Sequence, residues 1–419
     1  MPDIALPDAL LASTRPAESR WPRIAVTVVF VVHGLLFASW TAHIPDVEAH
    51  LGLTYGTLGF ALLGAPVGSV TAMAGSAYLL PRLGSRRIVQ LALVGYCAAG
   101  PLVGLTGTVP ALFGALFVWG AFQGTLDVAM NTQAIAVERG RQQVLMSGLH
   151  GSWSIGSFAG AGIGALAVGA GVTLTTQLLV LGTLALLTAG LLTTRMLPDA
   201  RDPHGSAADS RAADQSSTTA SRWSGGMVLL GTIAFASMLC EGATANWASA
   251  YLAGPLHTTG IVPGLGYAAF ALAMVTVRLA GNRLRTRYRI DRLLPALAVV
   301  ATIGFTAGLL VGRPGAALGG FVCLGIGLAS VVPAVFSAAG RIPGLHPGTA
   351  LATAAACGWA GFVCGPPLIG RLASLTSLPA ALGLLPVLTA FIVAGTALAP
   401  ALKAQPRHNT RPALANAAR

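Results

Sequence analysis

The sequence predicts an all-α membrane protein in which twelve transmembrane helices form two pseudo-symmetric six-helix bundles. Only 9% of its 419 residues are charged and 54% are hydrophobic, whereas a soluble domain carries about 25% charged residues. The apolar residues gather in twelve runs, each long enough to cross a bilayer, which takes about 20 residues. Six runs precede a polar segment near the middle of the chain and six follow it.

Short polar or basic turns separate the runs, so each run is predicted to form one membrane-crossing helix. We number these helices as spans 1 to 12. In chain order they are predicted at residues 24–44, 56–80, 88–107, 109–136, 144–169, 172–194, 225–252, 261–283, 293–311, 314–338, 347–371 and 378–402.

The polar segment divides the chain into two halves. Residues 195–224 are rich in Asp, Ser, Ala and Thr, a composition that cannot build a packed core, and we expect a cytoplasmic linker there. Six-helix bundles are expected over residues 24–194 and 225–402. Residues 1–23 lack the apolar core of a signal peptide and are expected to form a cytoplasmic tail, as are residues 403–419.

The basic residues predict the orientation. Every Lys and Arg except Arg278, Arg313 and Arg371 falls in a segment that is cytoplasmic when the N-terminus is inside. Cytoplasmic loops carry the excess of Lys and Arg in membrane proteins. We therefore expect both termini in the cytoplasm and an even number of spans.

Several function classes are not indicated by the composition. The net charge of +12 comes from basic residues in groups of one to five between apolar runs, and a nucleic-acid partner is not expected from such a pattern. The chain lacks the Gly-x-x-x-x-Gly-Lys-Ser/Thr loop that binds ATP, and no cofactor is expected. The cysteines lie inside apolar runs and fit neither a disulfide framework nor a zinc site: Cys97, Cys240, Cys323, Cys357 and Cys364.

The two halves resemble each other at an offset of 205 to 207 residues. No single match is persuasive, but together they agree with the division into six plus six spans and favour two parallel halves related by an axis along the membrane normal. The matches pair Trp40 with Trp247, Leu58-Gly59-Phe60 with Leu265-Gly266-Tyr267, Gly120 with Gly325, and Trp153 with Trp359.

The loop between spans 2 and 3 resembles a family signature. The major facilitator superfamily carries Gly-x-x-x-Asp-Arg-x-Gly-Arg-Arg/Lys there, and the stretch from Ala77 to Arg86 keeps Arg82, Gly84 and Arg86 but lacks the first Gly, the Asp and the penultimate Arg. The resemblance covers nearly the whole chain. It implies a monomer that acts as a secondary transporter by alternating access, with Arg82, Gly84 and Arg86 in a gating loop.

Shorter motifs resemble a bacterial branch of this superfamily near the fucose-permease-like transporters. They are Trp40-x-x-His-Ile-Pro45, Asp127-Val-Ala-Met-Asn131, Leu149-His150-Gly-x-Trp153-Ser-x-Gly156, Glu241-Gly-Ala with Asn246-Trp247, and Gly365-Pro-Pro-Leu-Ile-Gly370. This resemblance implies a bacterial plasma (inner) membrane and a sugar-like solute. Fucose-type permeases carry proton-linked carboxylates on spans 1 and 4, whereas this chain has Asp127 on span 4 and no acid on span 1.

Four ionisable residues inside spans are candidates for proton coupling. An ionisable group at the bilayer centre costs roughly 2.5–3.5 kcal/mol on insertion scales and is usually functional, although a carboxylate can also serve helix packing. At a rise of about 1.5 Å per residue, His33, Asp127 and His150 lie roughly 9–14 Å from one membrane face. Glu241 falls near the same layer in the second half, because the offset of 207 maps it onto Gly34.

A second set of residues is predicted to bind substrate. Gln123, Asp127 and Asn131 share one helical face because they are four residues apart. Aromatic side chains suit sugar rings or planar heterocycles, but packing and interface tryptophans are also common. Arg278 either snorkels to the surface or binds an acid or anion. The predicted substrate-binding residues are Trp40, Gln123, Asn131, Trp153, Asn246, Trp247 and Arg278.

These observations predict a secondary active transporter of a small, sugar-like solute, coupled to protons by symport, and they do not predict an enzyme. Its partners are then the solute, protons and the lipid bilayer. Export of hydrophobic metabolites or drugs is an alternative, because the spans contain few charges. A membrane-embedded sensor or enzyme is an alternative of another class.

Overall fold

The computed structural model describes residues 20–141, 145–198 and 224–399, which form helices joined by short turns and contain no β-strand. Span 1 continues past Trp40 through a 3₁₀ turn at Thr41–His43 and a short helix at Ile44–Leu51. Spans 1 to 6 comprise Trp21–Ser39; Tyr55–Leu62 with Gly64–Leu83; Ser85–Val103; Val109–Arg141; Met146–Gly169; and Leu174–Ala185, which runs through a π turn at Leu186–Gly190 into Leu191–Thr193.

The second half repeats this arrangement. Span 10 is interrupted after Leu328, and span 12 begins with a short helix of its own. Spans 7 to 12 comprise Gly225–Ala253; Val262–Arg287; Ile290–Val311; Pro314–Leu328 with Val331–Ala339; Pro347–Leu375; and Leu378–Leu382 with Leu384–Leu398.

Within the described residues, eleven helices are long and apolar enough to cross a membrane. The remaining predicted span is the 19-residue helix Ser85–Val103, whose first turns contain Arg86, Arg87 and Gln90 and are therefore less apolar. It packs within the first half, where Tyr96 is fully buried. The predicted all-helical architecture is confirmed. Residues 1–19, 199–223 and 400–419, which hold most of the predicted tails and linker, lie outside the described part of the chain.

The helices run alternately between two ends of the molecule. We call the end that carries residues 20, 84, 198, 224 and 399 the linker end, and the opposite end, which carries residues 52–54, 104–108 and 254–261, the far end. A hydrogen bond from Gln133 Nε2 to the carbonyl oxygen of Leu197 joins spans 4 and 6 at the linker end, at 3.1 Å. At the far end, His43 Nε2 and Gln177 Oε1 are 3.0 Å apart and join spans 1 and 6.

The internal repeat is visible in the packing. Span 4 lies so close to span 2 that a Cβ on Gly120 would be 2.0 Å from the carbonyl oxygen of Ala65. In the second half, a Cβ on Gly325 would be 2.4 Å from the carbonyl oxygen of Phe270. Both pairs are related by the offset of 205 residues. Glycine at the repeated position thus allows the same close helix approach in each half.

The two halves are sealed against each other at the far end. Ser249 Oγ donates a hydrogen bond to the carbonyl oxygen of Thr41 at 2.7 Å. Span 2 crosses span 11 where Gly59 meets Gly370, and a Cβ on Gly59 would lie 3.1 Å from the Cα of Gly370. Beside this crossing, Tyr55 packs edge-on against Trp247, with 6.1 Å between ring centroids.

Towards the linker end the packing becomes more open. Span 11 packs extensively against the first segment of span 2, Tyr55–Leu62, near the far end. It packs only sparsely against the second segment, Gly64–Leu83, which continues to the linker end. The boundary between the halves is therefore tight at one end and looser at the other.

Candidate functional site

A central cavity lies between the two halves. Its volume in this conformation is about 40 Å³, which leaves room for a few water molecules, so a larger solute requires the walls to move apart. Spans 1 and 5 of the first half and spans 7, 8 and 11 of the second half form its walls. The lining residues are Phe37, Trp153, Ser154, Ser157, Glu241, Ala245, Tyr267, Phe270, Ala271, Met274, Arg278 and Phe362.

Phe37 is the centre of the aromatic part of this wall. Its ring stacks on Trp153 of its own half at 6.2 Å between centroids. It also contacts Tyr267 edge-on and Phe362 at a tilt, both at 6.4 Å and both from the second half. Aromatic residues from both halves thus meet at one place, and any movement of the halves changes these contacts.

Two polar atoms in the cavity wall are buried without a hydrogen-bond partner among the described residues. They are Glu241 Oε1 and Ser157 Oγ. Buried polar atoms are nearly always hydrogen-bonded in folded proteins, because an unpaired one costs about 1–3 kcal/mol. Their position in a cavity indicates that a solute or water supplies the missing partners.

Arg278 reaches across the cavity from span 8. Its Nη1 donates to Ser154 Oγ on span 5 at 2.8 Å, and its Nε donates to the carbonyl oxygen of Ala329 on span 10 at 3.3 Å. The residue four positions after Ala329 is Pro333, which has no N–H to complete the helical hydrogen bond. Arg278 therefore supplies the donor that the proline removes, at the point where span 10 is interrupted. The structure ties Arg278 to the protein interior and not to the surface.

His33 lies directly behind Trp153. The indole Nε1–H of Trp153 donates to His33 Nδ1 at 2.8 Å, and His33 Nε2 lies 3.3 Å from the carbonyl oxygen of Gln123. His33 is 4% exposed and does not line the cavity itself. Its contact with the cavity runs through the tryptophan.

Asp127 and Asn131 lie on span 4, outside the set of residues that line the cavity. Asn131 Nδ2 donates to both the backbone oxygen and Oδ1 of Asp127, at 2.8 and 3.3 Å. Asp127 is partly exposed. Asn246 on span 7 makes a similar local bond, from Nδ2 to the carbonyl oxygen of Gly242 at 2.7 Å.

His150 and the repeat-matched pair Trp40 and Trp247 are not among the residues that line the cavity. His150 is exposed near the start of span 5 and contacts Phe30 edge-on, at 5.5 Å between centroids. Trp40 packs against Trp119 inside the first half. Trp247 is fully buried beside the crossing of spans 2 and 11.

The predicted gating loop lies at the linker end. Gly84 adopts φ +78°, a conformation that favours glycine, and this lets span 2 turn directly into span 3. Arg82 is exposed and lies over the ring of Tyr78, 3.3 Å from its centroid. Arg86 is in the first turn of span 3.

Sequence reasoning did not find several of the cavity residues. Ser154 and Ser157 follow Trp153 within one helical turn, and Tyr267 belongs to the repeated Leu-Gly-Phe/Tyr motif. These spacings could have identified the three residues as candidates for the cavity wall. Phe37 and Phe362 could not be distinguished from the other apolar residues of their spans without the positions of the neighbouring helices.

A larger cavity, about 440 Å³ in volume, opens at the far end of the first half. It is lined by the turns of spans 1, 3, 5 and 6, and its polar groups include His43, Asp46 and Thr173. His43 and Asp46 are bonded to each other, and the cavity has no wall from the second half. The central cavity is the better candidate, because it lies between the halves and contains unpaired polar atoms.

Comparisons with known proteins agree with this architecture. The model of the Major Facilitator Superfamily matches residues 25–344. An uncharacterised MFS-type transporter of Yersinia pestis is 30% identical over 372 residues, covering 89% of this chain and 94% of the relative. Membrane protein MosC of Rhizobium meliloti is 31% identical over 360 residues, covering 85% of each chain.

Among solved structures, the nucleoside transporter NupG aligns with a TM-score of 0.70 at 12% sequence identity, covering 89% of this chain and 98% of NupG. At that identity the match shows the fold alone. The family model and the two relatives show the family as well. The chain belongs to the Major Facilitator Superfamily, a family of membrane transporters and not of enzymes.

Proposed function

We propose that this protein is a secondary active transporter that carries a small, ring-containing polar solute through the central cavity, coupled to protons. The observation that carries the proposal is the pair of unpaired buried atoms, Glu241 Oε1 and Ser157 Oγ, in an aromatic cavity between the halves. A carboxylate and a hydroxyl bind hydroxyl groups of a solute, while aromatic faces pack against its ring. A sugar-like solute has both features.

The arrangement of the halves supports alternating access. In transporters of this architecture the two halves rock around a site near the bilayer midplane. With the orientation predicted from the basic residues, the far end faces outward, so the sealed contacts around Thr41, Gly59 and Trp247 describe a conformation that is closed to the outside. Opening that end requires these contacts to separate.

Glu241 is the first candidate for proton coupling, and Asp127 is the second. A carboxyl group in a low-dielectric cavity gains or loses a proton when the cavity opens to water or encloses a solute. Arg278 lies in the same cavity and is tied to Ser154 and Ala329. Neutralising Glu241 would leave the cavity shape intact, which makes its coupling role testable.

The test is a thermal-shift screen of the purified protein with sugars, nucleosides, nucleobases, amino acids and small drugs. Nucleosides are included because NupG, whose fold this chain shares, is a nucleoside transporter. The screen is repeated on Glu241→Gln and on the control Glu48→Gln, which changes a carboxylate at the far end, outside the central cavity. We expect a polar cyclic compound to stabilise the native protein and the control but not Glu241→Gln. Equal stabilisation of all three proteins would remove Glu241 from the site.

Export of hydrophobic metabolites or drugs is the second candidate function. It is favoured by the apolar part of the wall, formed by Phe37, Phe270, Met274 and Phe362. Stabilisation by hydrophobic compounds and not by polar nutrients would select this function. A deletion strain that loses tolerance to toxic compounds, but keeps growth on all carbon sources, would support the same conclusion.

A further inference from the structure

We propose that His33 is a positioning residue that, as a neutral imidazole, fixes the indole of Trp153 in the cavity wall and does not itself carry the coupled proton. The inference rests on the proposed function for the role of the cavity. The state of the His33 ring is independent of it.

The hydrogen bonds define which nitrogen of His33 carries hydrogen. An indole N–H is only a donor, so Nδ1 of His33 must accept from Trp153 through its lone pair. A carbonyl oxygen is only an acceptor, so Nε2 must donate to Gln123. Both conditions are met by the neutral tautomer with hydrogen on Nε2. A second proton on Nδ1 would oppose the indole N–H and break the bond to Trp153.

The surroundings prevent the ring from turning to avoid this conflict. His33 is buried and stacks on Tyr96, at 5.8 Å between centroids. Tyr96 in turn stacks on Trp119 at 5.2 Å, and Trp119 Nε1 donates to the carbonyl oxygen of Tyr96 at 3.1 Å. Among the described residues, the hydrogen-bond and ring partners of the imidazole are Tyr96 on span 3, the Gln123 carbonyl on span 4 and Trp153 on span 5, and all are uncharged.

The consequence for the cavity is a fixed indole. Trp153 is held on one side by His33 and presents its ring to Phe37 on the other, at 6.2 Å. Without an acceptor on His33, the indole N–H would have to turn towards the cavity or stay unpaired. The aromatic wall would then lose its defined shape. His33 therefore affects how tightly a solute binds and not how protons are coupled to its movement.

The first arm of the experiment uses no solute. Nitrogen-15 NMR of histidine- and tryptophan-labelled protein is recorded for the native chain, with assignments from His33→Leu and Trp153→Phe. We expect His33 to show two inequivalent ring nitrogens, with Nε2 protonated, at every pH in the range where a free histidine titrates. A ring that becomes doubly protonated within this range would overturn the proposal.

The second arm separates positioning from folding. His33→Asn keeps a carbonyl oxygen near Nδ1, and His33→Leu has no acceptor. We expect the Trp153 indole resonance to move in His33→Leu and to be largely restored in His33→Asn, with His50→Asn at the exposed far end as the control. An indole resonance that is unchanged in His33→Leu would show that the hydrogen bond does not hold the ring.

The third arm measures uptake of the compound that gives the largest shift in the thermal screen. Loss of one hydrogen bond predicts an increase in KM of about three- to tenfold in His33→Leu, with an unchanged pH profile and partial rescue by His33→Asn. A shifted or flattened pH profile would instead make His33 a proton carrier. A screen without any binding compound would contradict the proposed function, and the two NMR arms would still decide the state of His33.

Discussion

Arg278 Nη1 donates a hydrogen bond to Ser154 Oγ at 2.8 Å, and this bond crosses the boundary between the two halves. The same guanidinium reaches the carbonyl oxygen of Ala329, whose helical donor is absent because residue 333 is proline. One side chain thus connects span 5 of the first half with the interrupted span 10 of the second. A planar guanidinium can make both bonds at once, whereas an ammonium cannot reproduce this geometry.

We expect Arg278→Gln to reduce transport of the compound found in the thermal screen by at least about tenfold, because hydrogen bonds from charged groups contribute about 1.5–3 kcal/mol. Arg278→Lys should retain only a small part of the native transport rate. Uptake into proteoliposomes measures both. The matched control is Arg341→Gln, which removes an exposed arginine bonded to Ser337. Native uptake by Arg278→Gln would mean that the connection between spans 5 and 10 is not used in transport.

A larger side chain where Gly59 crosses Gly370 should open the far end. A Cβ on Gly59 would be 2.6 Å from the carbonyl oxygen of Pro366, so Gly59→Val should force spans 2 and 11 apart. Overpacking of this kind costs about 1–3 kcal/mol, which shifts a two-state population about five- to 150-fold. We expect a longer distance between spin labels at the exposed positions Leu105 and Val311, in a variant without native cysteines.

Gly75→Val is the control for this substitution. It lies on the same span, but a Cβ there has no neighbour within 4 Å among the described residues. Its distance distribution should match that of the parent. If Gly59→Val also matches the parent, then the contact of spans 2 and 11 does not hold the far end closed.

Hydropathy and charge were sufficient to predict the helical architecture, because a bilayer requires long apolar helices whatever their neighbours are. The interruption of span 10 was harder to predict from the sequence. Pro333 was visible in the sequence, but the donor that compensates for it comes from Arg278, 55 positions earlier in the chain. Only the fold brings the two together.

The candidate site could be predicted only in part, for a related reason. Glu241, Trp153 and Arg278 were selected because polar and aromatic residues are conspicuous within apolar spans, and they do line the cavity. Trp40 and Trp247 were selected by the same signal and lie in helix packing. Periodicity gives a residue's face and approximate depth, but not which neighbouring helix covers that face.

We expect the hydrogen bonds of His43 at the far end to stabilise the fold locally. Its Nδ1 and Nε2 lie 3.0 Å from Asp46 Oδ2 and from Gln177 Oε1. The Gln177 amide is oriented by its own donation to the Ser39 carbonyl, at 2.9 Å. A carbonyl oxygen only accepts, so Nε2 of His43 donates to the oriented Gln177 oxygen.

We expect His43→Ala to lower the melting temperature, because it leaves the buried Gln177 oxygen without a donor, at a cost of about 1–3 kcal/mol. Thermal unfolding in detergent measures the effect. His50→Ala, which removes an exposed histidine from the short helix that follows His43, should leave the melting temperature nearly unchanged. Equal melting temperatures for the two variants would show that the hydrogen bonds of His43 do not contribute to stability.

Asp127 provides the test of proton coupling outside the cavity wall. Its carboxylate accepts a hydrogen bond from Asn131 within span 4, and an asparagine at position 127 keeps the shape and one acceptor but cannot exchange a proton. If Asp127 takes part in coupling, Asp127→Asn should abolish solute uptake driven by a pH gradient and leave solute exchange without a gradient intact. Both are measured in proteoliposomes with the compound from the thermal screen.

Asp291→Asn is the control, because its partner Arg289 is exposed and such surface ion pairs contribute little. Gradient-driven uptake that remains at the native level in both Asp127→Asn and Glu241→Gln would exclude these two carboxylates as the coupling groups. Loss of uptake in only one of them would assign the proton to that residue, and loss of exchange as well would indicate a role in solute binding.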